Sequence, residues 1–272
     1  MTDEFRHLIL ITNDDGIASP GLRAAAEAVL DLGEIWVVAP RRQQSGLGRS
    51  FPGGDNAVQE HALEMAGRGF PCFALDGSPA QAVRHGILRF LPRRPDLAIS
   101  GINYGENVGG SATISGTIGA AIEAASFNVP TLAVSLETDR KYHFNLSEEV
   151  DFRTAAVFTR RFALWLLRRG MPKSVDILKV EVPCDATSAT PWRMTRVSRQ
   201  QYWVSRVIVD DDGQKRLASY ERRIDLNALE PDSDVYALAV DRVIAVSPIT
   251  IDLTARVDLQ QLEDALDLDD SP

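Results

Sequence analysis

Two aspartates stand side by side in Asn13-Asp14-Asp15-Gly16, directly behind the apolar run Leu8-Ile9-Leu10-Ile11. A short unbroken apolar run predicts a strand buried on both faces, so the carboxylates fall where that strand emerges. Adjacent carboxylates at a buried strand end repel each other and lose hydration unless a cation compensates them. A hard ion such as Mg²⁺ or Mn²⁺ supplies that compensation through oxygen ligands. The same residues also read as a solvated Asp-Gly turn, and the segment by itself leaves both readings open.

Two further polar segments are expected beside the first, because ligands of open α/β sheets bind outside the carboxyl ends of the strands. Ala39-Pro40-Arg41-Arg42-Gln43-Gln44-Ser45-Gly46-Leu47-Gly48-Arg49-Ser50 follows the apolar run Ile35–Ala39. Its hydroxyls, amides, glycines and cations suit an oxyanion or phosphate, or else form a mobile polar loop. Gly46 and Gly48 lack the third glycine of a dinucleotide fingerprint and lie too far past the strand, so that reading is excluded. Ser100–Gly110 is the third segment, with Asn103 close behind Leu97-Ala98-Ile99 and able to add an amide oxygen to an oxygen-rich site. It runs on to Ser115-Gly116-Thr117, a helix start whose free N–H groups and positive dipole end attract anions. The glycines here serve anion approach or tight packing.

Other chemistries find no support. The Walker lysine motif is absent, neither Ser45 nor Ser115 lies in a G-x-S-x-G elbow, and no Asp-x-Asp follows the first strand. His7, His61, His85 and His143 show no paired spacing and read as structural or exposed. Trp36, Trp165, Trp192 and Trp203 read as core or interface residues.

The elements that must position these segments alternate strand and helix. A helical pattern follows Pro20 through Leu22, Ala25, Ala26 and Val29 towards Gly33, and Ile35–Ala39 is the next strand. Phe73–Leu75 is a brief strand, and Ser78-Pro79 starts a helix towards Phe90 as N-cap and first-turn proline. Strand 97–99, helix 115–127, strand 131–134, helix 150–169 and strand 177–182 complete a doubly wound, mostly parallel α/β core over residues 1–185. Residues 186–272 read as a β-rich arm and tail. Strands are expected at 194–197, 203–209, 217–224, 235–240 and 243–246, with Asp210-Asp211-Asp212-Gly213 turning a hairpin, then a weak acidic helix fraying into a tail at 264–272. That arm is read as an element for self-association.

With 272 residues, 44% apolar and 25% charged, the chain has the composition of an ordinary globular protein. A net charge of −9 argues against a nucleic-acid backbone binder, and no nucleic-acid duplex is expected as a partner. The basic pairs, such as Arg41-Arg42 and Arg93-Arg94, read as solvated surface. Cys72 and Cys184 are too few and too far apart for a disulfide framework or a zinc site and are expected as buried free thiols. Residues 1–7 hold no apolar signal core and no apolar run reaches the roughly 18 residues of a membrane span, so a cytoplasmic protein is expected.

Five segments in order over residues 8–135 resemble the SurE family, the stationary-phase survival proteins. They are Ile11–Gly16, Val38-Ala39-Pro40 through Gln44-Ser45-Gly46, Asp76–Ala80, Ser100–Asn103 and Ser115–Ala121. The resemblance implies a Rossmann-like core, a divalent cation (Mg²⁺ or Mn²⁺), and hydrolysis of nucleoside 5′- and 3′-monophosphates. By position it makes Asp14, Asp15, Ser45 and Asn103 the metal ligands and Ser115, Gly116 and Thr117 the phosphate-side loop. Asn13 and Gly46 join them as expected substrate contacts. Asp14 and Asp15 form the catalytic pair, with Asp15 expected to orient the water. It also implies a homodimer or homotetramer built through a C-terminal β-hairpin arm. The chain departs from the family where Arg41 and Gln43 replace acidic residues, and where Phe51-Pro52-Gly53-Gly54-Asp55-Asn56 replaces a hydrophobic strand beside the expected pocket. A non-catalytic nucleotide-binding or signalling module is the main competing reading; a metal-dependent glycosyltransferase is weaker, for want of Asp-x-Asp.

Overall fold

The computed structural model of the chain describes residues 7–65 and 67–266. The expected polar N-terminus and the tail beyond residue 266 lie outside the described residues. Strand β1 (His7–Thr12) alternates its apolar residues between two cores: Ile9 and Ile11 face one, Leu8 and Leu10 the other. Helix α1 (Pro20–Ala28) is capped by Ser19, whose hydroxyl accepts from the Leu22 amide, and it leads to β2 (Gly33–Pro40). Three short strands follow, β3 (Val58–Glu60), β4 (Leu63–Met65) and β5 (Arg68–Phe70), then β6 (Cys72–Leu75). The first three carry no sequence pattern long enough to announce a strand.

Helix α2 (Pro79–His85) starts with a reciprocal capping box, in which the Ser78 hydroxyl accepts from the Gln81 amide and the Gln81 side chain accepts from the Ser78 amide. A π-helical turn carries it to Phe90. Strand β7 spans Leu97–Tyr104, so Asn103 lies within the strand rather than in the loop behind it. Helix α3 (Gly116–Ser126) is capped by Ser115, and β8 (Thr131–Leu136), α4 (Arg153–Arg169) and β9 (Ile177–Val182) follow.

Beyond residue 185 come β10 (Trp192–Met194), β11 (Trp203–Val209), β12 (Lys215–Arg222), α5 (Asp234–Ala239), β13 (Ile244–Ile249) and α6 (Leu259–Leu266). The hairpin β11–β12 around Asp210–Gly213 forms as expected. The expected strand at 235–240 is instead α5. Ser233 caps it, Asp234 stands in its first turn, and the buried positions 234, 235, 237 and 238 follow helical spacing, which overrides the β-branched Val235 and Val240. The expected strand at 194–197 reduces to β10 and a single bridge at Arg196.

Among the described residues nine strands form one sheet in the order β10-β13-β9-β8-β7-β1-β2-β6-β3. The ladders from β9 through β6 are parallel, while β3 on β6 and β13 on β9 are antiparallel. Helices α1 and α4 pack on one face and α2 and α3 on the other, burying separate apolar cores. The fold is thus α/β, doubly wound and mostly parallel. Strands β10 and β13 extend the core sheet, so the chain after residue 185 divides between that sheet and the separate hairpin. The chain leaves β1 towards β2 in one direction and reaches β7 in the other. That reversal opens a crevice between the carboxyl ends of β1 and β7.

Candidate functional site

The crevice at the β1/β7 reversal is the mouth of a cleft of about 310 Å³. Asp14, Ser45, Gly46, Asn103 and Ser115 all border it, although they come from three different polar segments. Asp14 is almost fully buried at its edge and is held on one side by the start of α3. Thr117 donates its hydroxyl to Asp14 Oδ1 at 2.5 Å, and the backbone amides of Gly116 and Thr117 also favour the carboxylate. Burial nonetheless outweighs these donors and leaves the Asp14 carboxyl raised above its ordinary range.

A glycine at 116 is a packing requirement. A Cβ there would stand 2.7 Å from Asp14 Cβ and 2.8 Å from Asp14 Oδ2. Gly119 does the same one turn later, where a Cβ would lie 2.2 Å from the Gly48 backbone. These two small residues bring α3 onto both the acidic turn and the Ser45–Gly48 loop.

Asp15 is not among the residues that line the cleft, and both of its carboxylate oxygens have donors. Its Oδ2 accepts the Tyr104 amide at 3.1 Å and its Oδ1 accepts Gln43 Nε2 at 3.3 Å. Burial first and the Asp14 charge second push its carboxyl well above the usual range. Gln43 also donates to Ser45 Oγ at 3.0 Å and to the His143 carbonyl at 2.6 Å. The glutamine at this departure from the family pattern therefore ties the second strand's loop to the acidic pair. Asn103 donates its amide nitrogen to the Tyr104 and Gly105 carbonyls at 3.2 and 2.6 Å, which fixes the amide and leaves its oxygen as the end for a ligand.

Some expected residues lie elsewhere. Asn13 is fully buried and bonds Gly16 in both directions, with its amide nitrogen to the Gly16 carbonyl and its oxygen from the Gly16 amide, so it braces the turn. Gly116 and Thr117 engage Asp14 rather than the open cleft. The 51–56 segment, expected beside the pocket, is drawn onto α2. The carbonyls of Ser50 and Pro52 accept from Ser78 Oγ and Gln81 Nε2, and Phe51 lies 4.0 Å under the Arg84 guanidinium. Cys72 is buried as expected, but Cys184 is exposed, because it follows the end of β9 in a surface turn.

Several cleft residues had no signal in the sequence. Glu106, His143, Phe144, Trp203 and Tyr220 border the cleft from four separate segments. His143 stacks on Tyr220 with ring centroids 6.0 Å apart, and Trp203 meets Tyr220 edge-on at 5.3 Å. The loop after β7 is anchored from below by a buried ion triad. Lys179 Nζ reaches Glu181 Oε1 at 3.3 Å, Asp234 Oδ2 at 3.0 Å and the Asn107 carbonyl at 3.1 Å. Glu181 and Asp234 in turn accept the Asn107 and Gly109 amides at 2.8 and 3.2 Å.

The donor set at the crevice fits a hard cation. Asp14 and Asp15 are buried side by side, neutral oxygens of Ser45 and Asn103 stand nearby, and no lysine or arginine is among the residues that line the cleft. A second acidic cluster, Glu137, Cys184 and Asp185, differs in this respect. Arg242 fills it, donating to Glu137 Oε2, to Asp185 Oδ1 at 2.6 Å and to Cys184 Sγ at 3.5 Å.

Comparison with known proteins identifies relatives of the whole chain. The family profile described as "Survival protein SurE" matches residues 9–204. A protein of Thermococcus gammatolerans named 5′-nucleotidase SurE is 43% identical over 259 residues, covering 95% of each chain. One of the same name from Thermococcus kodakarensis is 39% identical, over 95% of this chain and 98% of its own. The crystal structure of the SurE protein from Aquifex aeolicus superposes with a TM-score of 0.77 at 28% identity, over 96% of this chain and all of that one.

Proposed function

Because this chain belongs to the SurE family, we propose that it is a divalent-metal-dependent nucleotidase that hydrolyses nucleoside 5′- and 3′-monophosphates to nucleoside and phosphate. One observation carries the reading: Asp14 borders the cleft with Asp15 buried next to it in sequence, and no lysine or arginine lines the cleft where an anionic substrate must sit. A phosphate dianion is repelled by such a site unless a cation stands between them. Asp14, Asp15, Ser45 and Asn103 would hold the cation, Mg²⁺ or Mn²⁺. When bound, that cation supplies charge neutralisation at the phosphoryl oxygens and acidifies a water molecule.

The chain's own residues do the rest. The Ser45 hydroxyl and the Gly46 backbone border the cleft opposite Ser115 and give the phosphate a polar seat. Asp14 is the better candidate to orient the attacking water and take its proton. It borders the cleft, whereas Asp15 does not and has both oxygens engaged by Tyr104 and Gln43. This reverses the preference for Asp15 drawn from sequence. Asp15 then contributes charge and holds the Gln43 brace. The His143 ring and the hairpin aromatics line one side of the cleft.

The same proposal includes a homodimer or homotetramer in the cytoplasm. In its support, the hairpin and α6 expose Ile208, Val209, Leu217, Leu259 and Leu262, which a second copy would cover. Among the described residues no helix is long and apolar enough to cross a membrane. The catalytic claim is tested by phosphate release from a panel of mononucleotides after chelation, with Mg²⁺ and Mn²⁺ restored singly. Turnover with at least one metal is expected. Nucleotide binding without phosphate release under every metal would instead favour a non-catalytic binding module.

A further inference from the structure

Beyond the acidic pair the cleft changes character. Trp203 and Tyr220 from the β11–β12 hairpin and Phe144 from the loop after β8 bring aromatic rings to it. Phe144 is 69% exposed and lies 6.2 Å from the Tyr220 ring, inclined at 70°. Aromatic walls of this kind accept a planar ring at little conformational cost. Among them stands a carboxyl group in an unusual state. Glu106 is only 4% exposed and borders the cleft, and its Oε2 is buried without a hydrogen-bond partner. A buried acceptor left without a donor is costly.

The groups around Glu106 relieve that cost only in part: its own backbone amide and the Tyr202 hydroxyl favour the charged form, and Oε2 keeps no partner. The Tyr202 hydroxyl faces it, while Glu137 and Glu181, from the strand end of β8 and from β9, add like charge. Arg222 on β12 is engaged by Glu137 Oε1 and the Tyr202 hydroxyl, at 3.4 and 3.5 Å. Burial holds the Glu106 carboxyl up at about 7. A ligand with two adjacent N–H or O–H donors would satisfy the carboxylate as a bidentate partner.

We propose that the aromatic part of the cleft is the nucleoside subsite and that Glu106 is its specificity-determining residue, accepting paired donors of the nucleoside while Trp203 and Tyr220 pack against its base. The proposal rests on the phosphatase reading above. Two parts of a nucleotide offer paired donors: the N1–H and N2–H₂ edge of guanine, and the 2′,3′-diol of ribose. Adenine and 2′-deoxyribose each lack one of these pairs.

The test compares wild type, Glu106→Gln and Tyr220→Leu for kcat/KM on GMP, AMP, 2′-deoxy-GMP and p-nitrophenyl phosphate. The expected result is that Glu106→Gln lowers the GMP to p-nitrophenyl phosphate ratio by about tenfold or more, the usual scale for a lost charged hydrogen bond. A collapse of the GMP to AMP preference assigns the contact to the base edge. A collapse of the ribo to deoxyribo preference assigns it to the diol. Tyr220→Leu should lower every nucleotide relative to p-nitrophenyl phosphate. Ratios that stay within about twofold of wild type in both variants overturn the proposal, being below the scale of one hydrogen bond. If wild type hydrolyses none of the four substrates, the phosphatase reading fails instead. The subsite is then judged by calorimetric binding of GMP, which Glu106→Gln must weaken by the same factor.

Discussion

At residue 116 the absence of a side chain is what lets Asp14 occupy its place. The Asp14 carboxylate lies against the first turn of α3 and takes the Thr117 hydroxyl and two backbone amides from it. Gly116→Ala would press a methyl to 2.8 Å from Oδ2, while an alanine in the first helical turn suits the backbone itself. The carboxylate must therefore move by some tenths of an ångström. The expected outcome is a 10- to 100-fold loss of kcat, about the cost of a misplaced catalytic group, with a cooperative melting transition retained. Steady-state kinetics beside thermal denaturation checks this, and a variant with wild-type kcat would show that the helix start does not position Asp14. The pairing of Asp14 with Asp15 was legible in the sequence because adjacent charges behind an apolar run are conspicuous. Asn13, by contrast, looks like any polar neighbour of that pair, and its bonds to Gly16 follow from the turn geometry alone.

At the scale of elements, the site depends on three pieces of chain tied beneath it. Lys179 on β9 is fully buried and joins Glu181, Asp234 at the start of α5, and the Asn107 carbonyl after β7. The two carboxylates support it and raise its pKa despite burial. Lys179→Met would leave Glu181 and Asp234 buried without a cation, at a cost of about 3–5 kcal/mol. A shift of that size in chemical denaturation, with fluorescence of Trp203 reporting the cleft, is the expected result; a shift below about 1 kcal/mol would mean the triad adds nothing beyond ordinary packing. Apart from β3, β4 and β5, the longer strands and helices of the first 182 residues were legible because apolar runs and caps such as Ser78-Pro79 mark them locally. Helix α5 was not, since Val235 to Val240 carries β-branched ends and only the Ser233 cap and burial of Asp234 decide for helix. Of the three short strands between residues 58 and 70, β3 owes its state to pairing with β6, and β4 and β5 to pairing with each other. The aromatic wall of the cleft was illegible for a related reason: Phe144, Trp203 and Tyr220 converge only once the hairpin folds back over the carboxyl end of the sheet.

At the scale of the whole molecule, the net charge of −9 and a cleft with carboxylates but no lining cation set an electrostatic problem for an anionic substrate. The divalent cation proposed at the β1/β7 reversal would resolve it, and Asp14 is the residue on which the proposed cation, the water and the helix start would converge. The most direct test is phosphate release from GMP by chelated protein, with and without restored Mg²⁺ or Mn²⁺, for wild type and Asp14→Asn side by side. The asparagine keeps the size of the side chain and an acceptor oxygen for the Thr117 hydroxyl while removing the charge. The account predicts that chelated wild type is inactive and recovers with one of the metals, while Asp14→Asn stays about 1,000-fold or more below it under every metal. Near-normal turnover by Asp14→Asn, or wild-type turnover indifferent to chelation, would contradict it.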